Sequence, residues 1–201
     1  MTSEPVAAPR LTPAGERVLA AASELFYTRG IGSVGVDLVA ETAGVTKKTL
    51  YDRFGSKARL VEAYLRARDE RWRTHLVRHV DEHGGSDPVE RLLTVFDGLG
   101  AWQRAENTDP RGCGFVNAAA EITDPAHPGR AAVLDQKRWV REYLTELAEA
   151  AGLAHPGALA DQLLLLHEGA CVAHGLGLDP DAAAHARNAA SALVAAAARA
   201  G

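Results

Sequence analysis

The chain has 201 residues, of which 47% are hydrophobic and 24% charged, with a formal net charge of −4; that is enough chain for one large domain or two small ones around a substantial core. No stretch approaches the run of about 18 uncharged apolar residues that a membrane span needs. The first residues also lack the basic-then-apolar order of a signal peptide, so a cytoplasmic protein is expected.

Charge is unevenly spread. Residues 10–60 hold eight Lys/Arg against five Asp/Glu, whereas residues 61–201 hold 14 against 20. A basic first part on an acidic body points to a polyanionic partner for the first part alone. Cys113 and Cys171 form neither a CxxC pair nor a disulfide framework and read as buried thiols.

Residues 1–10, with two prolines and no periodicity, read as a disordered arm. A helix is predicted from Thr12, which can cap it, with Pro13 in its first turn and Val18, Leu19, Ala22, Leu25 and Phe26 at helical spacing up to Gly30. "GIGSVG", Gly30 to Gly35, matches the dinucleotide-binding fingerprint in letters only: a helix precedes it instead of a strand, so it reads as a connection between helices. Val36 to Gly44 gives a short amphipathic helix. Thr46 can cap a second one, Lys47 to Phe54, with Leu50 and Phe54 on its inner face. Two short helices joined by "GVT" form a helix-turn-helix signature.

Longer helices are predicted at about 57–83 (capped by Ser56), 88–105, 113–122, 130–151, 156–176 and 179–199, separated by segments such as "GGSDP" and "TDPAHPG". No run alternates with period two. The fold class is therefore all-α, about nine helices in total: residues 11–56 as a three-helix helix-turn-helix domain and residues 57–201 as a larger helical domain.

A helix that enters the major groove needs cationic or short hydrogen-bonding side chains on its outer face, flanked by groups that hold phosphates. Three of the four lysines lie in "GVTKKTLYDRFGSK", Gly44 to Lys57. Lys47, Lys48, Thr49, Tyr51 and Arg53 supply the outer face. Lys48 suits guanine O6/N7 and the Thr49 methyl suits thymine, while Thr46, Tyr51, Arg53 and Lys57 suit phosphates. Double-stranded DNA is the expected partner.

Residues 15–62 resemble the N-terminal domain of the tetracycline-repressor (TetR) family. The resemblance rests on Ala21, Ala22, Leu25, Phe26 and Gly30 in the first helix and on Ala43, Gly44, Val45, Thr46, Lys47, Leu50, Tyr51, Phe54 and Lys57 at the family's spacing. Three positions depart from the pattern: Val34 and Gly35 stand where Thr-Thr is frequent, and Arg53 where His is common. The resemblance implies a third helix in the major groove, a palindromic operator bound by a homodimer, and a C-terminal domain where a small-molecule effector releases DNA.

Trp102, Cys113, Phe115, Asn117, Trp139, Tyr143 and His167 are the candidate effector contacts, because such pockets combine apolar walls with a few polar groups. Leu163, Leu166, Ala170, Ala173 and Leu193, on the last two helices, are the candidates for a two-fold four-helix interface. His75, His79 and His83, and again His167, Cys171 and His174, have spacings that could converge on zinc, but no fourth ligand is identified for either, so no metal or cofactor is expected. No GxSxG, HExxH or P-loop is present. The expectation is a non-enzymatic, ligand-responsive repressor; an activator, a ligand-independent DNA-binding protein of this fold and an all-helical enzyme are the alternatives.

Overall fold

The computed structural model describes residues 11–105 and 111–199; the expected N-terminal arm lies outside them. The described residues form nine helices and no strand: α1 (Pro13–Arg29), α2 (Val36–Thr42), α3 (Lys47–Phe54), α4 (Lys57–His83), α5 (Pro88–Ala105), α6 (Gly114–Glu121), α7 (Pro128–Ala150), α8 (Pro156–Gly175) and α9 (Ala182–Ala198). None is long and apolar enough to cross a membrane.

Local chemistry sets the ends. Thr12, Thr46 and Ser56 each accept a hydrogen bond from a backbone N–H three residues on, which satisfies a donor the helix cannot satisfy itself. The corner between α2 and α3 is a Schellman motif: Gly44 N–H donates to Glu41 O and Val45 N–H to Ala40 O, both at 3.0 Å. Gly44 has φ +62°, a left-handed conformation that a side chain would disfavour, and this turns the chain sharply enough to start α3 within a few residues.

Two apolar cores form. The first gathers Val18, Ala22, Leu25 and Phe26 of α1, Val39 of α2 and Leu50 of α3 with Leu60, Val61, Tyr64 and Leu65 of α4, Phe115 and Ala118 of α6, and Ala132 and Val133 of α7. The second joins Trp72, Leu76 and Val80 of α4 to α5, α8, α9 and the later part of α7. Helices α4 and α7 thus run through both cores, and α6 belongs to the first although it lies far along the chain. Each core carries enough fully buried aliphatic side chains to dominate its own stability, at about 1.5–3 kcal/mol per large side chain removed from water.

Candidate nucleic-acid interface and interior pocket

Helix α3 is anchored by Leu50, which has no exposed surface, and by half-buried Phe54. Lys47, Lys48, Tyr51 and Arg53 consequently stand on its open side. The two lysines are already engaged. Lys47 Nζ lies 2.9 Å from Asp37 of α2 and Lys48 Nζ 2.7 Å from Asp52, one turn on; the hydrogen bond to Asp37, and then its charge, raise the Lys47 ammonium above its usual range. Such exposed pairs are weak, because water screens both charges. A phosphate or a base edge can therefore displace them at small cost.

Other predicted contacts are differently placed. Lys57 Nζ donates to Ile31 O at 2.6 Å, tying the start of α4 to the α1–α2 connection. Thr46 and Thr49 share a hydroxyl–hydroxyl hydrogen bond of 2.9 Å, and Thr46 caps α3, so these two side chains first serve the helix itself. Val34 is fully buried in the first core, and α2 begins on Gly35 with no side-chain cap, so neither position presents a hydroxyl.

Between the two cores lies a pocket with about 50 Å³ of free space. It takes Tyr27 from α1, Arg68 and Trp72 from α4, Leu99, Trp102 and Gln103 from α5, Gly112 and Cys113 from the connection before α6, Gly114 and Phe115 from α6, Gln136 and Lys137 from α7, and His167, Cys171 and His174 from α8. Four of the predicted effector contacts, Trp102, Cys113, Phe115 and His167, meet here. The other three do not line this pocket. Asn117 donates to Arg111 O at 2.7 Å, while Trp139 and Tyr143 stack on each other at 5.2 Å, with the Arg73 guanidinium over the Trp139 ring.

The pocket is polar where burial makes polarity costly. Trp72 Nε1, Gln136 Oε1, His167 Nε2 and His174 Nε2 are buried with no hydrogen-bond partner, a state that costs about 1–3 kcal/mol per group unless water or a ligand fills it. Lys137 Nζ donates to Cys113 Sγ at 3.4 Å and to both Glu168 carboxylate oxygens at 2.8 and 2.7 Å. Burial by itself would raise the Glu168 carboxyl. The hydrogen bond from His167 and the adjacent Lys137 charge outweigh it and bring it down to about 2.

Arg68, Trp72, Gln136, Lys137 and His174 did not figure among the predicted contacts. Arg68 and Gln136 carry a readable signal, because each sits one turn from apolar positions on the inward stripe of its helix: Tyr64 and Trp72 flank Arg68, and Ala132 and Val140 flank Gln136. Among the described residues no group of three or more His, Cys, Asp or Glu is placed to hold a metal ion. His75, His79 and His83 instead stack ring on ring, at 5.9 and 4.3 Å.

The predicted interface residues divide on burial. Leu163 and Ala170 are buried in the chain's own second core, and Leu166, Ala173 and Leu193 pack against it from partly buried positions. The open side of α8 carries Leu165, Gly169, Val172 and Leu176, with Leu165 74% and Leu176 69% exposed. The sequence places apolar residues all round α8. Only the packing separates the stripe that faces inward from the one left uncovered.

Residues 18–64 match the family model for bacterial regulatory proteins of the tetR family, and residues 88–190 match that for the tetracyclin repressor-like C-terminal domain. Among solved structures, the TetR-family transcriptional regulator SCO4454 of Streptomyces coelicolor is 31% identical, with 92% of this chain and 90% of that one covered and a TM-score of 0.83. The transcriptional regulator AcuR of Cereibacter sphaeroides is 29% identical over 88% of this chain and 83% of its own length. The transcriptional regulator TtgR of Pseudomonas putida is 36% identical, but the chain spans only 41% of its length. With a helix-turn-helix domain and a helical C-terminal domain both matched, the chain belongs to the TetR family of DNA-binding transcriptional regulators.

Proposed function

We propose that the chain is a ligand-responsive repressor: a homodimer that reads a palindromic operator with α3 and releases it when a small molecule enters the pocket between the cores. One observation carries the ligand response, namely that four buried polar atoms without partners, on α4, α7 and α8, converge on one cavity. They offer an indole N–H donor, an amide acceptor and two imidazole nitrogens, which a small molecule with both acceptor and donor groups would satisfy.

The present free space holds little more than a water molecule or two. An effector of ordinary size must widen the pocket, and widening it separates side chains that belong to different cores. That gives the differential affinity for two states that release requires. Dimerisation is supported by the uncovered stripe of Leu165, Val172 and Leu176 beside Gly169, and two copies would present two recognition helices to successive major grooves. In the DNA-bound state Lys48 would face bases, while Lys47, Tyr51, Arg53 and Lys57 would hold phosphates, Thr46 and Thr49 adding hydroxyl contacts.

The test is a thermal-shift screen of small compounds bearing both donor and acceptor groups against the wild type and Gln136→Met. Compounds that use the cavity raise the melting temperature of the wild type and lose most of that shift in Gln136→Met. Equal shifts in both proteins for every hit would place the effector elsewhere and overturn this pocket assignment.

A further inference from the structure

Cys113 and Cys171 stand apart from everything the DNA-reading surface needs. Cys113 is the residue before α6 and packs against both apolar cores. Cys171 lies on α8 and also lines the pocket. The backbones beneath them are pressed together: a Cβ built on Gly112 would stand 3.2 Å from Cys171 O, and one on Gly175 only 2.4 Å from Gly112 Cα. Glycine at both positions is what permits this approach. Both thiols line the same pocket, and the Lys137 ammonium sits 3.4 Å from Cys113 Sγ.

We infer that Cys113 and Cys171 form a peroxide-sensitive thiol pair, in which Cys113 is the attacking sulfur and Cys171 the resolving one, closing an intrachain disulfide across the seam between the two cores. Three features support the assignment of roles. The neighbouring Cys171 thiol and the Lys137 ammonium, 3.4 Å away, hold the Cys113 thiol well below its usual range, whereas its neighbour Cys113, together with burial, pushes Cys171 up. The pocket admits a molecule of peroxide size but, as it stands, little larger. Unpartnered Gln136 Oε1 and His167 Nε2, both on side chains more than nine-tenths buried, line the same cavity and can hold a small hydroxylic molecule there.

The chemistry balances. The Cys113 thiolate attacks one peroxide oxygen, the O–O bond breaks, and the leaving hydroxide takes up the proton that Cys113 had released, giving water and a sulfenic acid. Cys171 then attacks the sulfenic sulfur; the S–O bond breaks, the S–S bond forms, and the departing hydroxyl leaves as water with the Cys171 proton. Two thiols have lost two electrons and one peroxide has gained them.

The sensor has a direct mechanical route to the DNA-binding helices. Gly112 O, one residue from the reactive sulfur, accepts the Tyr27 hydroxyl of α1 at 3.1 Å, and Arg111 donates to Tyr27 O at 3.2 Å. At the far end of α6, Glu121 accepts Gly32 N–H at 2.6 Å. Pulling Cys113 toward α8 displaces the start of α6 from α1 and lowers DNA affinity. This last step rests on the repressor reading above; the thiol chemistry does not.

The experiment uses the full-length reduced protein, a small molar excess of hydrogen peroxide quenched with catalase, and three readouts: intact mass with peptide mapping, thiol titration, and anisotropy of a labelled palindromic duplex selected from a random library. The expected result is a loss of about 2 Da, no titratable thiol where two were free, a Cys113–Cys171 linkage, and a Kd raised about tenfold or more, all reversed by dithiothreitol. Cys171→Ser and Cys171→Ala stop at a dimedone-trapped sulfenic acid, Cys113→Ser is inert at the same dose, and Lys137→Gln slows the reaction of Cys113. Two surviving thiols, a disulfide between chains, or peroxide reactivity in Cys113→Ser equal to the wild type overturns the site. A disulfide with unchanged Kd overturns its regulatory role. If the reduced protein selects no duplex at all, the repressor reading fails, and the mass and thiol readouts still decide the site.

Discussion

On α3 the working side chains stand in water, and each lysine has a partner nearby in sequence, Asp52 four residues on and Asp37 in the preceding helix. In the seam the working groups come from six helices and the connection before α6, and four polar atoms have no partner at all. The first surface is prepared for a partner that arrives from outside and displaces weak ion pairs. The second is an interior with unmet hydrogen-bonding groups, which a small molecule bearing both donors and acceptors can satisfy. Stability and recognition should therefore separate cleanly on α3 and be inseparable in the seam.

The largest effect that could break this comparison lies under α3. Leu50→Ala removes a fully buried anchor and should cost about 2–5 kcal/mol in urea denaturation; a cost below about 1 kcal/mol would mean that α3 is held by something else. On the outer face of the same helix, Lys48→Ala with Tyr51→Ala should leave the denaturation midpoint unchanged. DNA binding of the double variant should weaken by about 3 kcal/mol in a mobility-shift titration at fixed salt, with a shallower salt slope. Unaltered affinity there would remove α3 from the interface.

In the seam, Glu168→Gln leaves Lys137 without its carboxylate and should cost about 2 kcal/mol near neutral pH, less than for a fully buried pair because both side chains keep some exposure. The folded-state value of Glu168 is depressed, to about 2 from an ordinary 4.5. Its contribution is thus complete above about pH 4.5 and is lost as pH falls toward 2. Melting curves of the wild type should converge on those of Glu168→Gln through that window; a constant gap would contradict the pairing. The smallest effect has the opposite sign. Gln136→Met removes an unpartnered buried acceptor and should raise stability by about 1 kcal/mol, whereas a loss would show that water already satisfies Oε1.

The same contrast explains what the sequence discloses. The caps Thr12, Thr46 and Ser56, the corner at Gly44 and the bounds of α3, α4 and α5 follow from interactions within three or four residues, and the structure has them where those rules put them. Helices α2, α6, α7, α8 and α9 begin or end a residue or more away from the periodicity reading, where small residues and proline-containing turns leave the ends weakly specified. The pocket is less legible, because it depends on which helices cross. Trp139 and Tyr143 have the composition of pocket residues but find each other instead. Arg68 and Gln136 were visible as polar breaks in apolar stripes, yet only the crossing of α4 and α7 brings them to one cavity. The apolar face of α8 shows the same limit, since Leu163 and Leu165 are chemically identical and only packing decides that one is core and the other is open to a partner.

The central claim, that filling the seam loosens the grip of α3 on DNA, is tested most directly by anisotropy titration of a selected palindromic duplex with and without a compound that stabilises the protein in thermal shift. The prediction is a rise in Kd of about tenfold or more at saturating compound, abolished together with the thermal shift in Gln136→Met. A Kd unchanged at concentrations that fully develop the thermal shift would contradict it.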